Sequence, residues 1–508
     1  MMQGSAPAKP RKRVFLPPQF VRAMLAGHSA LGIAFAALIY VVCLSGTFAV
    51  FVHEFNRWEQ PDAPFVGQAL SPEVVNAAVG AAYRKAVAVN AAHDVFIMGP
   101  SPTQQRVLIN FHDHESGEEG HWIGDEKGNL VAVHHAPWSE FLEGLHIYLH
   151  LPRTWGLFLV GLTGVTLLSS LISGLLSHPR LFKDAFALRW GGSRRLEQAD
   201  LHNRLGVWGL PFHIVVSTTG ALLGLSTLIV GVLALAAYDG DSEKAFAVIL
   251  GPHATEDETA APLPDVGAMM RHVQATHPDA EFVSVNIHHV ATAGQVVHLG
   301  MRTPGHLAMA NSYYFDGAGR SFGDGGLETG SVGQQILGAL QPLHFGWFGG
   351  MLVKIAYGIL GLAITVVTHS GITIWLARRR DAGRPAPGWE KAWTGLVWGQ
   401  PAALGLVALG ILAAGESYAL PTYIAATVLA IAGSPLVDAS TANRVLRIVT
   451  GLAALAVVSI HTLTWAGRIS DPMAIYVAAV ISIAALATLA SAFARRSAIV
   501  SRAPRESG

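Results

Sequence analysis

Eight stretches of this 508-residue chain are apolar over the length needed to cross a bilayer, roughly 27–52, 154–177, 206–237, 347–376, 393–415, 418–436, 446–466 and 473–493. A helix spans the hydrocarbon layer with about 20 such residues, and in lipid only a helix or a closed barrel satisfies its own backbone hydrogen bonds. Only 13% of the residues are charged, against 51% hydrophobic, where a soluble domain carries about 25% charged residues. The chain therefore reads as a polytopic α-helical membrane protein of about eight transmembrane helices, with the lipid bilayer as its first partner. The first stretch follows Arg11, Lys12, Arg13 and Arg22. It is too long for a cleaved signal peptide and reads as a retained anchor.

Positive charge sets the expected orientation. Basic residues follow the second span (Arg180, Lys183, Arg189, Arg194, Arg195) and the fourth (Arg378, Arg379, Arg380). Others precede the seventh (Arg444, Arg447) and close the chain (Arg495, Arg496, Arg502, Arg505). All share one side if both termini are cytoplasmic. Two polar insertions, about 53–150 and 238–343, then face the opposite compartment. Each opens with a helix-like segment, Ser71–Val89 or Asp265–Thr276, and continues into alternating strands such as Arg106–Phe111 and Gln295–Met301. Each ends in a turn-rich hairpin, at Gly124–Gly128 and Asp316–Gly319. Both read as small α+β modules. Lys+Arg and Asp+Glu are each 34, and this balance offers no nucleic-acid-binding surface.

The chain also repeats itself. His28-Ser-Ala-Leu-Gly32 resembles His202-Asn-Arg-Leu-Gly206, and Ser45-Gly46 matches Thr219-Gly220 at the same distance downstream. Gly161, Gly164 and Gly174 match Gly358, Gly361 and Gly371 without a gap. Leu149-His150 and Leu343-His344 open those two spans, although the distance to the first glycine differs. Helix–module–helix thus occurs twice in parallel, and the four helices should form one bundle with glycines at the contacts. The expected organisation is a basic N-terminus (1–26), repeat one (27–177), a cytoplasmic loop (178–205), repeat two (206–380) and a four-helix extension (381–508).

Twenty-three histidines stand beside a single cysteine, Cys43. One cysteine excludes an internal disulfide, a thiolate-held iron–sulfur cluster and a C-x-x-C-H haem attachment. The histidines separate by depth into two layers. His28, His178, His202, His213 and His369 lie near the cytoplasmic side; His53, His146, His150 and His344 lie near the other. His213 follows Arg204 and His369 precedes Arg378 by nine residues each, about 13 Å of helix, and so at similar depth. His146 and His150 share a helix face by their i, i+4 spacing. An intramembrane histidine can simply hydrogen-bond a neighbouring helix, but two layers drawn from all four repeat helices fit two bis-histidine haems stacked across the membrane. Gly32, Gly206, Gly164 and Gly361 would leave room for the porphyrins or serve helix packing.

Other clusters have simpler readings. His112-Asp113-His114-Glu115 with Glu118, Glu119 and His121 falls in a segment that a solvated turn explains, and no separate metal site is expected there. His134-His135 and His288-His289 are adjacent pairs, which point to opposite faces of a strand. Trp389, Trp393 and Trp398, with Trp155, Trp347 and Trp375, read as interfacial aromatic belts. His461 is the extension's only histidine. Nucleophile triads, Walker loops and dinucleotide glycine motifs are not found.

These residues resemble the PepSY-associated transmembrane family, also called iron-regulated or siderophore-reductase-like membrane proteins. The resemblance rests on His28-x-x-Leu-Gly32, Ser45-Gly46, Leu145-His146, Leu149-His150, Asp200-Leu-His202-x-x-Leu-Gly206, Leu210-Pro211, Thr219-Gly220, Leu343-His344-x-Gly346, Gly371-x-x-x-Trp375 and Arg378–Arg380. It covers residues of about 20–380. It implies a bacterial inner-membrane protein with periplasmic PepSY-like modules and two b-type haems. It further implies that His28, His202, His150 and His344 sit where the family's histidines recur. His213 and His369 have Ile39 and Ile172 as their counterparts, so they stand as alternative ligands of the cytoplasmic layer; the periplasmic layer leaves His146 and His150 open. The implied activity is an oxidoreductase taking electrons from a quinol or a cytoplasmic donor and reducing ferric siderophore iron in the periplasm. The alternative is a non-redox membrane protein acting in binding, regulation or transport.

Overall fold

The computed structural model describes residues 16–114, 116–178, 186, 194–251 and 257–494. Glu115 and the basic residues at 11–13, 180, 183, 189 and 495–505 lie outside them. Six helices are each long and apolar enough to cross a membrane, and two bent pairs bring the candidate spans to eight. An antiparallel sheet stands apart from them.

Each repeat opens with a bent pair. In the first, α1 (Pro18–Ala34) and α2 (Ala36–Ala49) meet at Phe35; in the second, α7 (Arg194–Trp208) and α8 (Leu210–Gly224) meet at Gly209. Both bends are 70°. Pro211 sits in the first turn of α8, where its missing N–H is not needed. Each repeat closes with one long helix, α6 (Arg153–Ser177) or α13 (Gly350–Asp381). The bend lets one pair serve both repeats: α1 packs on α6 of its own repeat while α2 packs on α13, and α7 packs on α13 while α8 packs on α6. The repeats are therefore intertwined. Glycines permit the closest crossings: a Cβ on Gly161 would lie 2.8 Å from the Gly224 carbonyl carbon, and one on Gly164 would lie 2.8 Å from the Ala221 nitrogen.

The expected third span, 206–237, is displaced by one helix. The span is the α7–α8 pair, ending at Gly224, and the apolar segment after it is a separate short helix, α9 (Ser226–Ala237). Hydropathy merged α8 with α9 because both are strongly apolar, whereas the charged, His202-bearing half of the bent pair is polar on average. α10 (Ser242–Leu250) follows.

The two insertions are one body. In the first, α3 (Val52–Glu59) leads to α4 (Pro72–Ala88) and strands β1 (Asp94–Met98), β2 (Val107–His112), β3 (Glu119–Gly124) and β4 (Leu130–Val133). In the second, α11 (Val266–Thr276) precedes β5 (Glu281–His288), β6 (Val296–Arg302), β7 (Asn311–Asp316) and β8 (Ser321–Asp324). The strand order is β4-β3-β2-β1-β5-β6-β7-β8, so two four-stranded meanders join along β1–β5, with Val95 opposite Ile287 and Ile97 opposite Val285. Alternation puts Val95, Ile97, Ile109, Val285, Ile287 and Leu299 on one face, fully buried in a core shared with α4 and α11. Asn76 bridges those two helices, donating to Asp265 at 2.7 Å and accepting from the Gly267 N–H at 2.9 Å.

Short helices return the chain from each module to the bundle: α5 (Pro137–Ile147) and α12 (Val332–Phe345). The extension comprises α14 (Pro387–Ala414), α15 (Ala419–Gly433), α16 (Ala439–Thr464) and α17 (Pro472–Phe493). It docks on α3 and α5. Phe55, Trp58, Phe141 and Leu142 pack with Leu404, Val407, Val457 and Val477 in one buried cluster. Arg57 of α3 makes two 2.7 Å bonds to Asp471, both side chains almost wholly buried. His461 donates from Nε2 to the Trp58 carbonyl at 2.6 Å and stacks on the indole at 4.1 Å. Trp393 packs against Tyr40 and His369, and Trp398 lies beneath Arg447.

Two predictions follow from this packing. Asp471→Ala leaves the buried Arg57 guanidinium uncompensated, a loss on the order of 3–5 kcal/mol; a lowered thermal midpoint in detergent and earlier proteolytic release of α14–α17 are the expected readouts. On the module, burial first and then the nearby Arg106 charge lower the His134 imidazole from 6.5 to about 4. Between those values the unfolded chain binds more protons, so stability falls as pH drops through that window and is flat above it. His134→Gln should flatten this dependence in a pH series of thermal melts.

Candidate functional site

Two histidine pairs lie on the axis relating the repeats, each drawing one ring from either repeat. His146 and His344 stand 6.0 Å apart between ring centroids, with planes 20° apart. His28 and His202 stand 6.1 Å apart, at 78°.

The supports of each pair are equivalent. His146 Nδ1 bonds the Val42 carbonyl at 3.1 Å and approaches Ser45 Oγ at 3.4 Å. His344 Nδ1 bonds Thr219 Oγ1 at 3.0 Å and faces the Val216 carbonyl. Val42 and Val216 carry the same offset as Ser45 and Thr219. In the other pair, His28 Nδ1 donates to the Ser170 carbonyl at 2.9 Å, and His202 Nδ1 donates to the Val367 carbonyl at 3.0 Å with Ser370 Oγ at 3.1 Å. Ser170 and Val367 are again repeat equivalents. A carbonyl only accepts, so Nδ1 carries the proton and Nε2 keeps its lone pair. No hydrogen bond engages any of these four Nε2 atoms among the described residues.

Glycines make room for the rings. A Cβ on Gly46 would lie 2.6 Å from His146 Cε1, and one on Gly220 would lie 2.9 Å from His344 Cε1. Gly174 and Gly371 stand in the same relation to His28 and His202. A cavity of about 220 Å³ opens beside the His146–His344 pair, lined by Gly46, Gly220, Val42, Val216 and Phe212 among other apolar groups. Gly32 and Gly206 face open space at the other pair, whereas Gly164 and Gly361 are packed against Ala221 and Thr47 and serve helix contact. Ten residues separate Gly164 from Gly174 and Gly361 from Gly371, about 15 Å of helix rise between the two levels.

The remaining candidates go elsewhere. His150 does not share a helix face with His146, because α5 stops at Ile147 and both Leu149 and His150 adopt left-handed backbone (φ 56° and 52°). Its ring turns back to stack on Phe141 at 4.5 Å, with Nε2 donating to the Phe141 carbonyl at 2.9 Å. His213 is fully buried against Gly209 and Phe212, with the Leu360 carbonyl near its ring. His369 accepts a 3.1 Å hydrogen bond from the Trp393 indole of α14. His213 and His369 are therefore not brought together despite their similar expected depth. His53 stacks on Trp347 and contacts Thr103.

The pattern of the PepSY-associated TM region matches residues 25–378. The chain belongs to the PepSY-associated transmembrane family. A protein of Pseudomonas aeruginosa, itself named only as uncharacterised, is 30% identical over 238 residues, which cover 45% of this chain and 60% of that protein. The family assignment takes in both histidine pairs and both modules and leaves the extension from α14 outside it. Both pairs have ring centroids about 6 Å apart with Nδ1 anchored and Nε2 unengaged, and the His146–His344 pair also has an apolar cavity beside it, a donor set that would suit two bis-histidine haems.

The sequence comparison had the decisive signal for His146. Leu145-His146 matches Leu343-His344 relative to the glycines of the following helix to within one residue, a closer register than Leu149-His150 offers. A further group was missed altogether: His93, just before β1, and Asp94, which opens it, meet His114 and His288. These positions lie up to 195 residues apart in sequence, and no linear motif joins them.

Proposed function

We propose that the protein is an inner-membrane oxidoreductase that passes electrons across the bilayer to ferric siderophore iron on the periplasmic, module-bearing side. One b-type haem is held by His28 and His202, the other by His146 and His344. The observation carrying this reading is the pairing itself: two equivalent sets of repeat-related histidines at 6.0 and 6.1 Å, each Nδ1 tied to a backbone carbonyl or hydroxyl. When bound, the haems supply one-electron chemistry at both levels.

The chain's own part is positional and electrostatic. The Val42, Ser170 and Val367 carbonyls and the Thr219 hydroxyl fix ring orientation and tautomer, and hydrogen bonds of this kind make an imidazole a better donor to a metal. The apolar lining excludes water, which favours the less charged redox state. A quinol or cytoplasmic donor would act at the His28–His202 level and the siderophore at the other. Fe(II) holds hard oxygen ligands less strongly than Fe(III), so reduction would loosen the metal from its carrier.

A reduced-minus-oxidised visible spectrum of the detergent-purified protein, with a haem-to-protein ratio, tests the reading. Sharp b-type bands at about two haems per chain are expected. Adding a ferric siderophore to the reduced protein should reoxidise them. A colourless protein from haem-replete cells would sink the proposal and favour a binding or transport role.

The ligand assignment makes its own prediction. His344→Ala and His146→Ala should each lose the same haem, and His28→Ala and His202→Ala the other. His150→Ala, His213→Ala and His369→Ala should keep both. Gly220→Val should behave like His344→Ala, because its side chain must displace the His344 ring. Haem content and band position read every case, and equal loss in His150→Ala would reverse the choice at α5.

A further inference from the structure

The seam between the two meanders carries a separate cluster of imidazoles. Asp94, at the start of β1, is 13% exposed in its side chain. Its Oδ1 receives His93 Nδ1 at 2.9 Å, and its Oδ2 receives His288 Nδ1 at 2.9 Å and His114 Nε2 at 3.1 Å. One ligand atom each from His93, Asp94 and His114 lie together within 4.8 Å. His289 adds a fourth ring, 4.3 Å from that of His93.

Adjacent strand residues point to opposite faces, which argues against His288 and His289 acting together. The strand ends at His288, however, and His289 takes φ 52°. That left-handed step swings its ring round to the Asp94 side. Residues from both insertions thus converge on one carboxylate.

We propose that His93, Asp94 and His114 form a binding site for one borderline divalent transition-metal cation of the zinc, copper and nickel class, with the His289 ring beside that of His93. Imidazole nitrogen with a single carboxylate is the donor set this class takes, whereas calcium and magnesium want oxygen. Bonds of about 2.0–2.1 Å in a tetrahedral shell set donor atoms about 3.3 Å apart. His93 Nδ1 stands 2.9 Å from Asp94 Oδ1 and His114 Nε2 3.1 Å from Oδ2, and one donor atom from each of the three lies within 4.8 Å of the others, so a small closure brings them to that edge. On binding, each imidazole shifts its proton to its other ring nitrogen and gives the nitrogen that now faces Asp94 to the cation, and His288 remains hydrogen-bonded to the carboxylate to orient it. All three ligands come from the first insertion, and the second joins them through His288 on Asp94 and the His289 ring beside His93, so the bound ion stiffens the β1–β5 junction from one side.

The test uses the full-length protein in detergent, stripped with a chelator and equilibrated with zinc, haem iron being counted separately. One zinc per chain beyond any haem iron is expected, with a raised thermal midpoint. Asp94→Asn and His114→Ala should each weaken zinc binding at least tenfold and abolish the zinc-dependent rise. His306→Ala, which removes an exposed histidine outside the cluster, should bind as wild type. His114 is 61% exposed, so its variant separates metal loss from misfolding. No zinc on the wild-type protein, or undiminished zinc on both variants, would overturn the proposal and leave Asp94 as a hydrogen-bond hub alone.

Discussion

A polar ring inside a bilayer must find a partner, and here the partner is a neighbouring helix's backbone. Carbonyls within a regular helix are already used by the N–H four residues on, but each has a second lone pair. The four paired histidines take that second lone pair, at Val42, Val216, Ser170 and Val367 or at hydroxyls beside them. Each such bond fixes one helix against another and leaves the opposite ring nitrogen open. Structural satisfaction and ligating capacity are therefore two ends of one imidazole.

This arrangement depends on the 70° bends at Phe35 and Gly209. A straight first helix would present His28 and Ser45 to the same neighbour. With the bend, His28 meets its own repeat's α6, while the segment bearing Val42 and Ser45 meets α13 and receives His146. The exchange places both pairs on the axis between repeats, where one residue from each half can face its counterpart. It also explains the glycines, since a side chain at Gly46 or Gly220 would strike an imidazole and one at Gly174 or Gly371 would crowd one.

Much of this was legible in the chain. The spans, the helix starts at Ser71 and Asp265, and the repeat register all follow from apolar periodicity and spacing. The register even contained the answer to the misplaced third span, since carrying the first span forward by the His28-to-His202 offset lands on α7–α8. Hydropathy outvoted it because His202 sits on a helix half with several charged residues. The choice between His146 and His150 turned on a helix ending three residues before the second histidine, through left-handed residues at Leu149 and His150 that carry no glycine or proline signal. The joining of the modules was hidden for another reason: β1 and β5 read as ordinary strands, and nothing in an alternating pattern says which edge meets which.

The histidines set apart from the pairs clarify what the extension is for. His369 stood as an alternative ligand and His461 as the extension's only histidine, and each makes a hydrogen bond to a tryptophan residue at the extension's interface, Trp393 and Trp58. Together with the buried Arg57–Asp471 pair, they hold α14–α17 against α3, α5 and α13. α5 also carries His146. Docking therefore braces the short helix that places one member of a pair, beside Phe141, which packs on the extension's Tyr423 on one side and holds His150 on the other. The extension thus reaches the site mechanically, by fixing the return helix from the first module, and no ligand of its own is needed for it to matter there.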